Sequence, residues 1–301
     1  YRALHKNRFK RAKSDEKGTG KMDLLVSTEW LAKELGASDL RIVDATWHMP
    51  DAGRNAAAEY EGGHIPGAVF MDLAEIADSN SSLPNMLPPP EKFASRMQSL
   101  GLGDGSRIVV YDDSVFKSAT RAWWMLTLFG AHDVAILDGG LAKWKAEGRP
   151  LENGKPSLRH RHFTVWKDDS GVKTKADMLA NLHSKDAVVV DARGAGRFTG
   201  EEAEPRPEMA SGHIPGSRNL PYSNLFNADG TWKQGAALEA AFAEAGVDLD
   251  KQMITTCGSG MTAAVVLFGA RLTGKKDVAL YDGSWSEWGL DPDTPKETGA
   301  A

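Results

Sequence analysis

The sequence predicts an α/β protein built from two tandem copies of one domain, each a parallel sheet with helices on both faces. Three observations carry that expectation. The chain repeats itself: "RIVDATW" (Arg41 to Trp47) is matched by "VVVDARG" (Val188 to Gly194), "GHIPGA" (Gly63 to Ala68) by "GHIPGS" (Gly212 to Ser217), and "LDGGLAKW" (Leu137 to Trp144) by "YDGSWSEW" (Tyr281 to Trp288). The matched aspartates, histidines and second aspartates lie 147, 149 and 144 residues apart, and landmarks kept in order at near-constant offset indicate a duplication. Short β-branched runs alternate with helical stretches, the pattern of a parallel sheet covered on both sides. Finally, 301 residues suffice for two domains of ordinary size.

The elements follow in chain order. The first copy opens with the helical "TEWLAKELG" from Thr28, then gives the strand "RIVVYD" from Arg107, the helix "SATRAWWMLTLFG" from Ser118 and the strand "DVAIL" from Asp133. The second gives the strand "AVVVDA" from Ala187, the helix "AALEAAFAEAGV" from Ala236, the strand "QMITTC" from Gln252, the helix "TAAVVLFGARLTG" from Thr262 and the strand "DVALYD" from Asp277. The strands are short, apolar and bounded by turn residues, as fully buried strands are. Several of the helical stretches close on a glycine, the usual left-handed cap. Between the copies, "EGRPLENGKPSLRHRHF" (Glu147 to Phe163) is polar, contains Gly and Pro and lacks periodicity. The expected division is therefore a tail over 1–21, a first domain over 22–147, a linker over 148–165 and a second domain over 166–301.

Composition narrows the function classes. Apolar residues make up 41% and charged residues 26%, a globular balance, and no apolar run approaches the roughly 20 residues of a membrane span. The formal charge is −5, but residues 1–21 hold eight basic side chains against Asp15 and Glu16, a local +6 that leaves −11 on the body. An acidic body excludes nucleic acid as the main partner, and an anionic substrate must then be met by locally placed arginines. The basic head lacks apolar periodicity; it is read as an unstructured tail or leader, with the remnant of an organelle-targeting peptide as the alternative. A single cysteine argues against a disulfide scaffold and for a reducing compartment, the cytoplasm or, with a targeting head, the mitochondrion.

That cysteine, Cys257, stands in "TTCGSGMTAA" at the end of a predicted strand and about five residues before a predicted helix. Parallel sheets bind ligands at the carboxyl ends of their strands. Glycines at 258 and 260 let successive amide N–H groups turn toward one point, which here would be the sulfur. The partial positive charge of a helix N-terminus and its N–H donors favour the anion of a thiol so placed, the form that acts as a nucleophile. The bland alternative, a small core residue, leaves the glycines without a reason.

"CGSGMTA", the two "HIPG" boxes, the "YDGSWSEW" close and the duplication together resemble the tandem rhodanese family of sulfurtransferases, over nearly everything after Met22. The resemblance implies two rhodanese-like domains, of which the second is catalytic. Within the family, the thiosulfate branch places basic residues after the cysteine, whereas Cys-Gly-Ser-Gly is similar to the branch that takes sulfur from 3-mercaptopyruvate. The implied reaction moves that sulfur to Cys257 as a persulfide, releases pyruvate and passes the sulfur to a thiol acceptor such as thioredoxin, or to cyanide. By motif match the substrate arginines fall on Arg197 and Arg206; without the family, the same arginines in an acidic loop could be a solvated salt-bridge patch. Amides of Gly258, Gly260, Met261 and Thr262 would hold the persulfide, and Ser259 would relay or donate a proton.

Other features set limits. Aligning "VVYDDS" with "ITTCGS" puts Asp112 opposite Cys257, so the first copy keeps no nucleophile and, by resemblance, forms one wall of an interdomain cleft. Asp112 and Asp113 are read as turn or cap residues, and His64 and His213 as scaffold beside their Ile-Pro-Gly turns. No cofactor and no metal are expected, since there is no second cysteine and no histidine cluster. Some family members have a histidine and an acidic residue that form a relay with the loop serine; here Asn85 and Ala74 stand at those places, so a Ser-His-Asp relay is not expected. The rival readings are a thiosulfate:cyanide sulfurtransferase, a sulfur carrier without turnover, and a cysteine phosphatase, the last disfavoured because Ala263 replaces the required arginine.

Overall fold

The computed structural model describes residues 21–300, so the basic tail, apart from Lys21, lies outside the described residues. The first sheet contains β1 (Leu25–Val26), β2 (Leu40–Asp44), β3 (Ala68–Phe70), β4 (Arg107–Tyr111) and β5 (Asp133–Leu137), all parallel in the order β1-β5-β4-β2-β3. Between these strands run α1 (Thr28–Glu34), α2 (Ala56–Gly62), α3 (Leu73–Ile76), α4 (Pro90–Ser99) and α5 (Ala119–Leu128), with α6 (Gly140–Ala146) after β5.

The second sheet repeats the plan. Its strands β6 (Val172–Lys173), β7 (Ala187–Asp191), β8 (Arg218–Asn219), β9 (Gln252–Thr256) and β10 (Val278–Tyr281) run parallel in the order β6-β10-β9-β7-β8. The helices are α7 (Lys175–Ser184), α8 (Ala195–Thr199), α9 (Gly235–Glu244), α10 (Ala263–Leu272) and α11 (Ser284–Trp288). Each predicted strand and helix is found within three residues of its expected bounds, the largest difference being α9, which ends at Glu244 rather than Val247, and the α/β duplication is confirmed by the identical strand order.

The central strands β4 and β9 have neighbours on both sides and are buried on both faces, which is why they read as unbroken apolar runs. The helix that follows each one, α5 or α10, is apolar nearly all round because it is covered twice: by its own sheet and by the other domain. Trp123 of α5 meets Phe268 of α10 edge-on at 4.8 Å, and Trp232 lies 5.0 Å from the same ring. One continuous apolar core thus runs through both halves. A polar contact marks each end of the interface: Trp232 N–H donates to Asp138 at 2.9 Å, and Leu87 N–H donates to the matching Asp282 at 2.8 Å.

Residues 148–168 cross the first domain before entering the second. Glu152 pairs with His64, Phe163 is buried edge-on to Phe93, and the Trp166 N–H donates to the Phe129 carbonyl at 3.1 Å. His64 and His213 are both buried. Their Nδ1 atoms meet the carbonyls of Tyr60 at 2.7 Å and Phe198 at 2.8 Å, and each ring stacks on the aromatic side chain of that same residue.

Candidate active site

Cys257 is the first residue after β9 and lies at the base of a cleft of about 650 Å³ between the two domains. It is 2% exposed, so the surface left to it faces this cleft. Arg197, Arg206, Gly258, Ser259, Met261 and Thr262 line the same cleft. Gly260 is the exception: it is buried behind the loop against the other domain.

The "YDGSWSEW" segment explains how the loop keeps its shape. Ser284 Oγ accepts from Cys257 N–H at 3.3 Å and donates to Tyr281 O at 2.8 Å. Trp285 N–H holds the Cys257 carbonyl at 2.9 Å, and the N–H and hydroxyl of Ser286 hold the Gly258 carbonyl at 2.8 and 2.7 Å. From the first domain, Arg121 Nη1 donates to the Gly260 carbonyl at 3.2 Å. A trans peptide points its C=O and N–H in opposite directions. Fixing the carbonyls of 257, 258 and 260 therefore turns the N–H groups of Gly258, Ser259 and Met261 away from these captors. From Gly258 through Ala263, six successive N–H groups donate to no acceptor among the described residues. They lead into α10, whose first residue is Ala263, and a row of unspent donors at a helix N-terminus is a ready anion site.

The cationic side of the cleft comes from the segment after β7. Arg193 is buried between Asp191 at 2.8 Å and Glu204 at 2.6 Å and stacks on Trp285 at 4.5 Å. Burial works against its charge, but the two carboxylates outweigh it and hold its pKa above the ordinary value. Glu204 also binds the Arg197 guanidinium, which lies across Gly258; a Cβ there would come within 3.2 Å of Arg197 Nη2. Arg206 is half-buried in the cleft wall and forms no ion pair among the described residues. Of the two motif-matched arginines, one is thus braced by an internal carboxylate and the other is uncommitted. The facing wall is supplied by the first domain and is largely apolar: Trp47, Met49, Leu83, Pro84 and Phe116, with Ala74 and Asn85 among them.

Sequence reasoning missed Arg193, Glu204, Arg121 and Asp282. Arg121 (1% exposed) pairs with Asp282 at 2.7 Å across the domain interface and lies over the Trp124 ring at 4.6 Å. The repeated Asp-Gly pair of the "YDGSWSEW" box was the one available signal for Asp282.

The model of the rhodanese-like domain matches residues 27–147 and again 174–291. The chain is 43% identical over 270 residues to the 3-mercaptopyruvate sulfurtransferase of Mus musculus, covering 88% of this chain and 91% of that protein. It is 41% identical over 271 residues to the thiosulfate sulfurtransferase of Cricetulus griseus, with the same coverage of both chains. Among solved structures, SseA from Escherichia coli, described as a 3-mercaptopyruvate sulfotransferase of rhodanese fold, superposes with a TM-score of 0.81 at 42% identity, covering 88% of this chain and all of that one. With both halves matched, and with full-length relatives above 40% identity, the chain belongs to the rhodanese family of sulfurtransferases.

Proposed function

We propose that the protein takes sulfur from 3-mercaptopyruvate onto Cys257 and passes it to a thiol acceptor such as thioredoxin. Arg206 and Arg197 hold the carboxylate and ketone oxygens of the substrate. The Cys257 thiolate attacks the substrate sulfur and a new S–S bond forms. The carbon–sulfur bond breaks, and its electron pair leaves on the carbon as the enolate of pyruvate, which then takes up a proton. The persulfide left on Cys257 carries its charge on the outer sulfur, among the amides of Gly258 to Thr262. A thiolate acceptor attacks that outer sulfur and Cys257 departs as the thiolate.

The carrying observation is the run of six unspent amides that follows a cysteine lining a cleft that also holds an uncommitted arginine. A core thiol would have no use for either. No cation occurs from position 258 to 262, which favours a donor whose carboxylate sits away from its sulfur over the compact thiosulfate dianion. Among the described residues no helix is long and apolar enough to cross a membrane; the proposed compartment is the cytoplasm.

Intact mass after incubation with 3-mercaptopyruvate tests the reading. The expected result is a gain of one sulfur atom, absent from Cys257→Ser, with pyruvate released on turnover and a higher kcat/KM than for thiosulfate. A sulfur gain that survives Cys257→Ser, or a preference for thiosulfate, overturns it.

A further inference from the structure

The half that carries no nucleophile reaches into the cysteine loop. Asn85, between α3 and α4, donates from Nδ2 to Ser259 Oγ at 3.0 Å, across 174 residues of sequence. Its backbone is left-handed, with φ of 59°, and is pinned twice. Its carbonyl accepts from Arg121 Nη2, and Leu87, two residues on, donates its N–H to Asp282 Oδ2 at 2.8 Å. Arg121 and Asp282 are themselves joined at 2.7 Å, and the same Arg121 Nη1 holds the Gly260 carbonyl. One buried ion pair thus fixes both strands of chain that present Asn85 and Ser259 to each other.

We infer that Asn85, held by the Arg121–Asp282 pair, is a positioning residue that aims the Ser259 proton at the reacting sulfur. A hydroxyl has one proton and two lone pairs. When the Asn85 amide donates to Ser259 Oγ, a lone pair is used and the Ser259 proton must point elsewhere. Among the described residues the Ser259 hydroxyl donates to no acceptor, and Ser259 lines the cleft two residues from Cys257. Its proton is free to meet the sulfur of the incoming substrate or the persulfide. A primary amide does not titrate, so this orientation holds at every pH at which the protein is folded. No proton passes through Asn85; it only sets which way Ser259 faces. The inference rests on Cys257 as the sulfur carrier.

Asn85→Asp is nearly isosteric, and aspartate tolerates the left-handed backbone, so the fold is kept. Its carboxylate reverses the bond: it accepts the Ser259 proton and draws it away from sulfur. Pyruvate release at pH 7.5 should fall on the order of 100-fold in kcat, as for loss of one preorganised donor, with KM for 3-mercaptopyruvate little changed. As the pH is lowered toward the carboxyl pKa, the protonated acid donates again. The ratio of variant to parent kcat should therefore rise between about pH 8 and pH 5, whereas for Asn85→Ala it should stay constant. The double variant Arg121→Met with Asp282→Asn leaves no buried charge unpaired and should lower kcat while retaining KM. A ratio for Asn85→Asp that is flat with pH, or an unchanged kcat, overturns the inference. Sulfur gain on Cys257 is measured by mass on the parent in the same experiment. Its presence with a flat ratio removes this inference alone, and its absence removes both.

Discussion

The loops that follow β4 and β9 occupy the same place in the two halves and resolve the same problem differently. Each begins where the central strand ends, and its first carbonyl is held by a matching residue, Leu141 N–H on Asp112 and Trp285 N–H on Cys257. In the first half the anion is built in. The Asp112 carboxylate accepts from Ser114 N–H at 3.0 Å and from Ala119 N–H at 2.6 Å, while Thr46 Oγ1 and Ser114 take up Asp113, Phe116 and Lys117 N–H. In the second half the cysteine is too short and too weak an acceptor to do this, and the amides stay unspent. The duplication thus separates two states of one loop: one copy fills it with its own carboxylate, and the other leaves its donors unspent, as the proposed persulfide requires.

The largest expected effect comes from making the second half more like the first two residues after its Asp191. Thr46 and Arg193 hold equivalent positions, and the N–H of each donates to the preceding aspartate at 2.9 Å. Only Arg193 adds a buried guanidinium, which offsets Asp191 and Glu204 together. Arg193→Thr leaves two buried carboxylates with one partner fewer and should cost about 3–5 kcal/mol, read as a lower urea midpoint. A loss below about 1 kcal/mol would mean that the two carboxylates are easily hydrated and that this bracing of the cleft is dispensable.

The self-filled loop carries a pH signature of its own. Burial raises the Asp112 pKa to about 6 against the opposing pull of the Ala119 N–H, Lys117 and the Ser114 N–H. The folded protein therefore binds this proton more tightly than the unfolded chain, whose aspartate titrates near 3.9. The associated stability is fully present below about pH 4 and is lost as the pH rises through about 6, a change of at most about 3 kcal/mol. Asp112→Asn removes the titration and keeps an oxygen for one of the two amides. The stability of the parent relative to Asp112→Asn, from urea unfolding at several pH values, should fall between pH 4.5 and pH 7. A constant difference would show that the amides satisfy the carboxylate as well as water does.

Much of this was legible from residue order because the informative features were local. The central strands and the helices α5 and α10 show as apolar runs, and the "CGSGMTA" loop shows its glycines. What was not legible depends on distance along the chain. The edge strands β1 and β6 are two residues each and exist only through their ladders with β5 and β10. Arg121 looks like a single solvated charge in an apolar helix; its partner Asp282 lies 161 residues away. Glu204 reads as one more acid in an acidic loop until the fold sets it between two guanidinium groups. The Asn85–Ser259 contact is likewise invisible, since 174 residues separate its two ends. Pairing of charges across a domain interface leaves no periodicity, so only coordinates disclose it.

The smallest contrast concerns the fourth position of each loop, Gly260 against Val115. Gly260 has φ of 77°, and a Cβ there would stand 2.9 Å from Arg121 Nη1 and 3.1 Å from the Asp282 carbonyl. Gly260→Ala meets the left-handed penalty of about 1–2 kcal/mol and wedges against the clamp that holds its own carbonyl. It should lower stability by that amount and slow pyruvate release as the Met261 N–H is turned out of place. Val115 is 67% exposed, and its backbone carbonyl accepts from Tyr222. Val115→Ala should stay within about 0.5 kcal/mol of the parent and leave the rate unchanged. Urea unfolding and pyruvate release on the pair, run together, set the two loops side by side. If Gly260→Ala proves as harmless as Val115→Ala, the amides of the cysteine loop are not held in the fixed arrangement that distinguishes it from its copy.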